Sequence, residues 1–159
     1  MENIFITPSL ENISNQQKQS NETLDIERIS IGDTLNKNNR LAILAKPGGG
    51  KSTLIKRLAI AYAFPSRKKL IDDNLPKDNL FPIFIRCREL GKKVSSSITE
   101  IINNIPNRAE INDCTEAFTG IVSNSLQKGS ALLLIDGLDE ISDDRNRISF
   151  VNQLRTFIA

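Results

Sequence analysis

Histidine is absent from this chain, and its two cysteines, Cys87 and Cys114, stand far apart in the sequence. A Cys/His zinc site therefore lacks a ligand set, and two isolated thiols do not make the disulfide framework of a small secreted domain. Reduced thiols in a cytoplasmic protein are the expectation. Neither sign of charge is in excess: 21 basic residues face 19 acidic ones, for a formal charge of +2. So weak a field gives no reason to expect nucleic acid or an anionic membrane as a partner. No apolar run approaches the roughly 20 residues needed to cross a bilayer. The opening "MENIFITPSL" has neither the basic start nor the long apolar stretch of a signal peptide.

What is present is an ordinary globular composition, with 159 residues of which 39% are hydrophobic and 25% charged. That length suits one domain with a core of its own. Residues 3–10 suggest a short extended piece ending at Pro8, because proline confines its predecessor to extended geometry. Residues 11–23 hold a single aliphatic side chain and read as an exposed linker or solvated helix. The expected division is a linker or extended segment over 1–25 and a domain over 26–159.

Three apolar runs predict strands: "RLAILA" at 40–45, "FPIFIRC" at 81–87 and "ALLLID" at 131–136. Their continuous apolar character suits strands buried on both faces of a parallel sheet. Between them, "KSTLIKRLAIAYA" sets Leu54, Ile55, Leu58, Ala59 and Tyr62 on one helical face before Pro65 ends the period. "SITEIINNI" spaces Ile98, Ile101, Ile102 and Ile105 for a helix opened by a Ser97/Glu100 capping box. Residues 115–129 predict a helix closed by Gly129, and residues 146–159 a last amphipathic one. Strands alternating with helices indicate an α/β fold with a parallel sheet flanked by helices.

The chemistry concentrates in two stretches. "AKPGGGKST" joins a predicted strand to a helix, where unpaired N–H groups and the positive end of the helix dipole suit a phosphate chain. Ala45, Lys46, Pro47, Gly48, Gly49 and Gly50 form the loop, and the glycines let backbone approach an anion without Cβ clashes. Lys51 then reaches the β- and γ-phosphates, the Ser52 hydroxyl can join a Mg²⁺ shell, and Thr53 can add a phosphate contact. The pattern departs from GxxxxGK[ST] only in its first residue, Ala45. The second stretch, "LLLIDGLDE", ends a buried strand on Asp136, the carboxylate such a hard cation requires. Asp-Gly after a strand can be a plain turn. Three acids within five residues, however, repel one another unless a cation is near. Asp139 or Glu140 could orient or deprotonate an attacking water; spacing does not choose between them.

"LAILAKPGGGKSTLIKRLA", "FPIFIRCREL" and "LLLIDGLDE", in this order, resemble the NACHT branch of the STAND class of P-loop ATPases, over about residues 26–145. That class includes NOD-like immune receptors and bacterial antiphage proteins. The resemblance implies a P-loop NTPase fold and an ATP/ADP site with Mg²⁺. It also implies slow hydrolysis by Lys51, Ser52, Asp136 and the acids after it, and self-association under nucleotide control. A GTPase DxxG is not met, since Asp139 stands three beyond Asp136, and no NKxD occurs. ATP is therefore expected over GTP. By the same resemblance residues 4–10 would lie near adenine, and Arg88 falls on a recurring family position. The family's sheet sets a sensor-1 strand between the loop strand and the DGLDE strand. The chain stops before that element and the later ones, so an incomplete nucleotide-binding domain is expected. A constitutive ATPase resembling AAA+ remodellers, and a scaffold that binds nucleotide poorly, are the competing readings.

Overall fold

The computed structural model describes residues 30–69, 74–76 and 79–159. The expected extended piece and linker, and the residues placed near adenine, lie outside the described residues. In chain order the regular elements are α1 (Ile31–Lys37), α2 (Lys51–Ala63), α3 (Pro65–Lys68), β1 (Phe81–Arg86), α4 (Ile98–Asn103), α5 (Ile105–Arg108), α6 (Thr115–Gln127), β2 (Ala131–Asp136) and α7 (Asp144–Phe157).

β1 and β2 pair in parallel, with Phe81 opposite Ala131 and Arg86 opposite Asp136. Alternation along the strands then sorts the apolar side chains onto two faces. Phe84, Leu132 and Leu134 meet Leu54, Leu58 and Ala61 of α2 and Ile31 of α1. Ile83, Ile85, Leu133 and Ile135 meet Ile98, Ile101 and Ile102 of α4, Val122 of α6 and Phe150 of α7. The result is helix, sheet, helix in three layers, as the alternating pattern predicts. Pro82 fits because β1 is paired on one side only in the described sheet.

The predicted strand over 40–45 is a correction. Residues 40–46 form no regular element and among the described residues join no ladder, and β1 is the strand beside β2. An apolar run forms a strand only where another backbone lies alongside to take its N–H and C=O groups. Here Ile43 packs against the α2-side core, while Leu41 and Leu44 are 40% and 81% exposed rather than buried on both faces. The two motif-bearing segments thus do not pair directly. The segment is tied down at its start, where the Arg40 Nη2 donates to the carbonyl of Ile158 at the end of α7, at 2.6 Å.

The helices follow their caps. Ser97 accepts from the Glu100 N–H at 3.2 Å, which opens α4 as the capping box predicts. The expected continuation to Ile105 breaks instead at Asn104, because Pro106 supplies no N–H and begins a new short helix. α7 starts two residues earlier than its apolar period suggests, since the Asp143 carboxylate accepts from the Arg145 N–H at 2.9 Å. Ser30 caps α1 in the same way through Asp33. Tyr62, on the buried face of α2, donates its hydroxyl to the carbonyl of Pro76 at 3.2 Å. Asn36 and Asn74 bind residues 74–76 to α1.

Candidate functional site

The loop before α2 closes through the Gly49 N–H, which donates to the Lys46 carbonyl at 2.9 Å. Gly48 and Gly50 both hold φ at +78°, the left-handed region that side chains resist. A Cβ on Gly49 would come within 2.9 Å of both the Ala45 Cβ and the Lys46 carbonyl. The methyl of Ala45, where the motif has glycine, is therefore accommodated only because position 49 carries no side chain. The turn still closes.

Gly50 is the N-cap of α2 and its carbonyl accepts the first helical bond, from Leu54 at 2.9 Å. The N–H groups of Lys51, Ser52 and Thr53 then have no acceptor inside the helix. No side chain caps this end, and no acid lies in the first turn to neutralise the dipole. Such an end suits an anion. Lys51 curls back, its Nζ donating to the Ala45 carbonyl at 2.7 Å, so the ammonium sits over the loop it would help charge.

Ser52 lies 84 residues before Asp136, and its Oγ donates to Asp136 Oδ1 at 2.7 Å. The start of α2 and the C-terminal end of β2 therefore meet at one point. A cleft of about 340 Å³ opens there, lined by residues 47–53 with Asp136, Gly137, Asp139 and Glu140. Every predicted site residue from Pro47 onward borders it; Ala45 and Lys46 stand at the loop's entrance and touch Lys51 through their carbonyls.

Past β2 the chain turns on Gly137, at φ +74°, into a 3₁₀ turn over Leu138–Glu140. The Glu140 side chain folds back over this glycine: a Cβ at 137 would meet Glu140 Oε2 at 2.8 Å. Gly137→Ala is therefore expected to cost stability through φ and to push the Glu140 carboxylate out of the cleft. The cost is about 1–2 kcal/mol for a side chain in left-handed geometry, read as a lowered urea midpoint. Any reaction in the cleft that uses Glu140 should fall further than ligand affinity; equal losses of both would argue that Glu140 has no place in it.

A second 3₁₀ turn, Cys87–Glu89, follows β1 and packs against Leu138–Glu140. Cys87 is buried there, and burial first, then the charges of Asp136, Glu140 and Asp139, push its thiol up to about 12. It stays a protonated, apolar wedge beneath the acids at neutral pH. Arg88 is exposed in this turn and does not border the cleft. Arg86, to which the sequence reading assigns no role, does not line the cleft either. Its signal is register, because it stands opposite Asp136.

Among the described residues no group of three or more His, Cys, Asp or Glu side chains could hold a metal. The groups lining the cleft are the Ser52 and Thr53 hydroxyls, the Asp136, Asp139 and Glu140 carboxylates, the Lys51 ammonium and a bare helix end. That set suits a polyphosphate carrying its own cation, with Ser52 and Asp136 completing the shell. A larger open groove of about 780 Å³ lies between the start of α4 and α7. Its surface is mainly apolar, around Ile98, Ile148 and Phe157, and it holds neither an ammonium nor a carboxylate. No described helix is long and apolar enough to cross a membrane.

No curated protein and no solved structure matches the chain. The family model of the NACHT domain matches residues 39–159, about three quarters of the sequence, and its span includes the glycine loop, β1, the acidic turn after β2 and α7. A nucleotide-binding P-loop NTPase with a parallel α/β core accounts for both the match and the geometry. The chain belongs to the NACHT domain family.

Proposed function

We propose that this chain is the ATP-binding and slowly hydrolysing part of a NACHT-type signalling switch. In this reading the ADP or ATP state controls self-association of the full-length protein, in the cytoplasm, in innate immune or antiphage defence. Residues 26–159 form the nucleotide-binding part. The observation that carries the reading is the 2.7 Å bond from Ser52 Oγ to Asp136 Oδ1, which unites the glycine loop with the acidic turn. The absence of DxxG and NKxD favours adenine over guanine nucleotides.

Each residue has a distinct task. The N–H groups at the start of α2 receive the phosphates, and Lys51 leaves the Ala45 carbonyl to neutralise the β- and γ-oxygens. Ser52 and Asp136 would hold magnesium, which when bound neutralises charge on the phosphate oxygens. Asp139 or Glu140 orients the attacking water and accepts its proton. Glu140 is the better placed, because its carboxylate is folded onto Gly137 beside Asp136.

Calorimetric ATP and ADP affinities of the full-length protein and its Lys51→Ala variant test the reading. A charge-assisted hydrogen bond contributes about 1.5–3 kcal/mol. Both nucleotides should therefore bind roughly ten- to a hundredfold more weakly to the variant. Equal binding by both proteins would remove the phosphate-cradle role.

A further inference from the structure

Residues opposite one another in a parallel pair share a face of the sheet, and neighbouring strands lie about 4.8 Å apart. Arg86 is opposite Asp136 at the last rung of the β1–β2 ladder. The face is the α2 side, because Phe84, two residues earlier on β1, packs into the α2-side core with Leu132 and Leu134. Arg86 therefore emerges on the same face as the carboxylate that Ser52 contacts, one strand away from it and at the border of the cleft rather than in its lining. Its guanidinium lies 5.6 Å from the centre of the Phe84 ring and pairs with Glu89 Oε1 at 2.6 Å.

Two features make this placement informative. The cleft is lined by Asp136, Asp139 and Glu140 against the single ammonium of Lys51. A triphosphate entering there adds negative charge, and its terminal phosphoryl group would face the acids with little to offset it. Arg86 is the cation that register brings next to them. Its hold on Glu89 is also weak, since both side chains are about 40% exposed and exposed ion pairs contribute little. A phosphate, by contrast, offers the planar guanidinium a bidentate, charge-assisted partner.

We propose that Arg86 senses the terminal phosphate. It leaves Glu89 to contact the third phosphoryl group of a bound triphosphate and returns to Glu89 when only a diphosphate is present. The Phe84 ring keeps the guanidinium on the α2 face in both positions. The inference rests on the nucleotide site proposed above and adds a specificity residue to it.

The test measures the affinity of the full-length protein for ADP and for a non-hydrolysable ATP analogue, both with magnesium. The proteins compared are wild type, Arg86→Ala, Arg86→Lys, Glu89→Gln and Lys51→Ala. Arg86→Ala should weaken the triphosphate at least tenfold and ADP less than twofold. Arg86→Lys should fall between wild type and Arg86→Ala, as a point charge replaces a fork. Glu89→Gln, which frees the guanidinium, should strengthen the triphosphate severalfold relative to ADP. Equal effects on both nucleotides, or none, would overturn the sensing role. Thermal melts without nucleotide check that Arg86→Ala folds; if it does not, an unchanged triphosphate to diphosphate ratio in Glu89→Gln overturns the role alone. If Lys51→Ala binds like wild type, the nucleotide site itself is wrong and the sensor falls with it.

Discussion

Phe150→Ala is expected to lower the stability of the fold by about 3–5 kcal/mol, the range for emptying an aromatic site in a core. Phe150 is fully buried and is the buried residue of α7. It meets Ile83, Ile85, Ile98 and Ile101 in the core between the sheet and the α4, α6 and α7 layer. Removing it opens a cavity where three elements converge, and the surrounding isoleucines are branched and stiff, which limits collapse into the space. Against a typical stability of about 5–15 kcal/mol, this loss is large. Urea denaturation would show it as a lower midpoint at unchanged slope. Phe150→Leu keeps most of the volume and should cost about 1.5 kcal/mol or less. If the alanine variant unfolds at the wild-type midpoint, α7 does not hold this core. Nucleotide offers a cross-check: ligand at a hundred times its Kd adds about 2.7 kcal/mol to any protein that binds it only when folded. A destabilised variant should therefore regain much of its midpoint in saturating ADP.

Much of the core was legible because its signals are local. Of the 3.6-residue period, Leu54, Ile55, Leu58 and Ala59 form the face by which α2 meets the sheet, with Ala61 an addition no periodicity marked, while Tyr62 is buried against Pro76. The runs at 81–87 and 131–136 became strands because each has the other beside it, the first ending at Arg86 where Cys87 enters the 3₁₀ turn. The run at 40–45 carries the same local signal and forms none, because hydrophobicity says that a segment can be buried but not whose backbone will pair with it. The breaks at Asn104 and the start at Asp143 are decided by single groups, a missing proline N–H and an aspartate oxygen, which a periodicity argument averages away.

The site divides in the same manner. That Ser52 and Asp136 would meet was readable from two motifs whose chemistry is complementary, although 84 residues separate them. Which of the two later acids acts was not, because Asp139 and Glu140 are neighbours in sequence and both border the cleft. Only the turn on Gly137 folds the longer side chain back over the glycine. Arg86 escaped notice for a related reason. Its importance comes from standing opposite Asp136 in the ladder, and register is a property of two strands rather than of one.

Asp136→Asn is expected to slow hydrolysis by about a hundredfold or more while leaving the fold intact. Asparagine has the same shape, and its Oδ1 can still accept the Ser52 hydroxyl that now lies 2.7 Å from the carboxylate. What it lacks is the negative charge that a magnesium shell needs beside the hydroxyl. A metal ion contributes several kcal/mol of transition-state charge stabilisation, and each 1.36 kcal/mol is tenfold in rate. Losing its anchor therefore has a large kinetic effect. Affinity behaves differently: without magnesium, the variant should bind ATP as well as wild type or better, because one of three clustered acids no longer repels the phosphates. With magnesium, the gain in ATP affinity expected of wild type should shrink or vanish. Single-turnover hydrolysis and ATP titrations with and without magnesium measure both arms. A variant that keeps the full magnesium response would place the metal elsewhere, and the Ser52 to Asp136 contact would then be a structural clasp between α2 and β2.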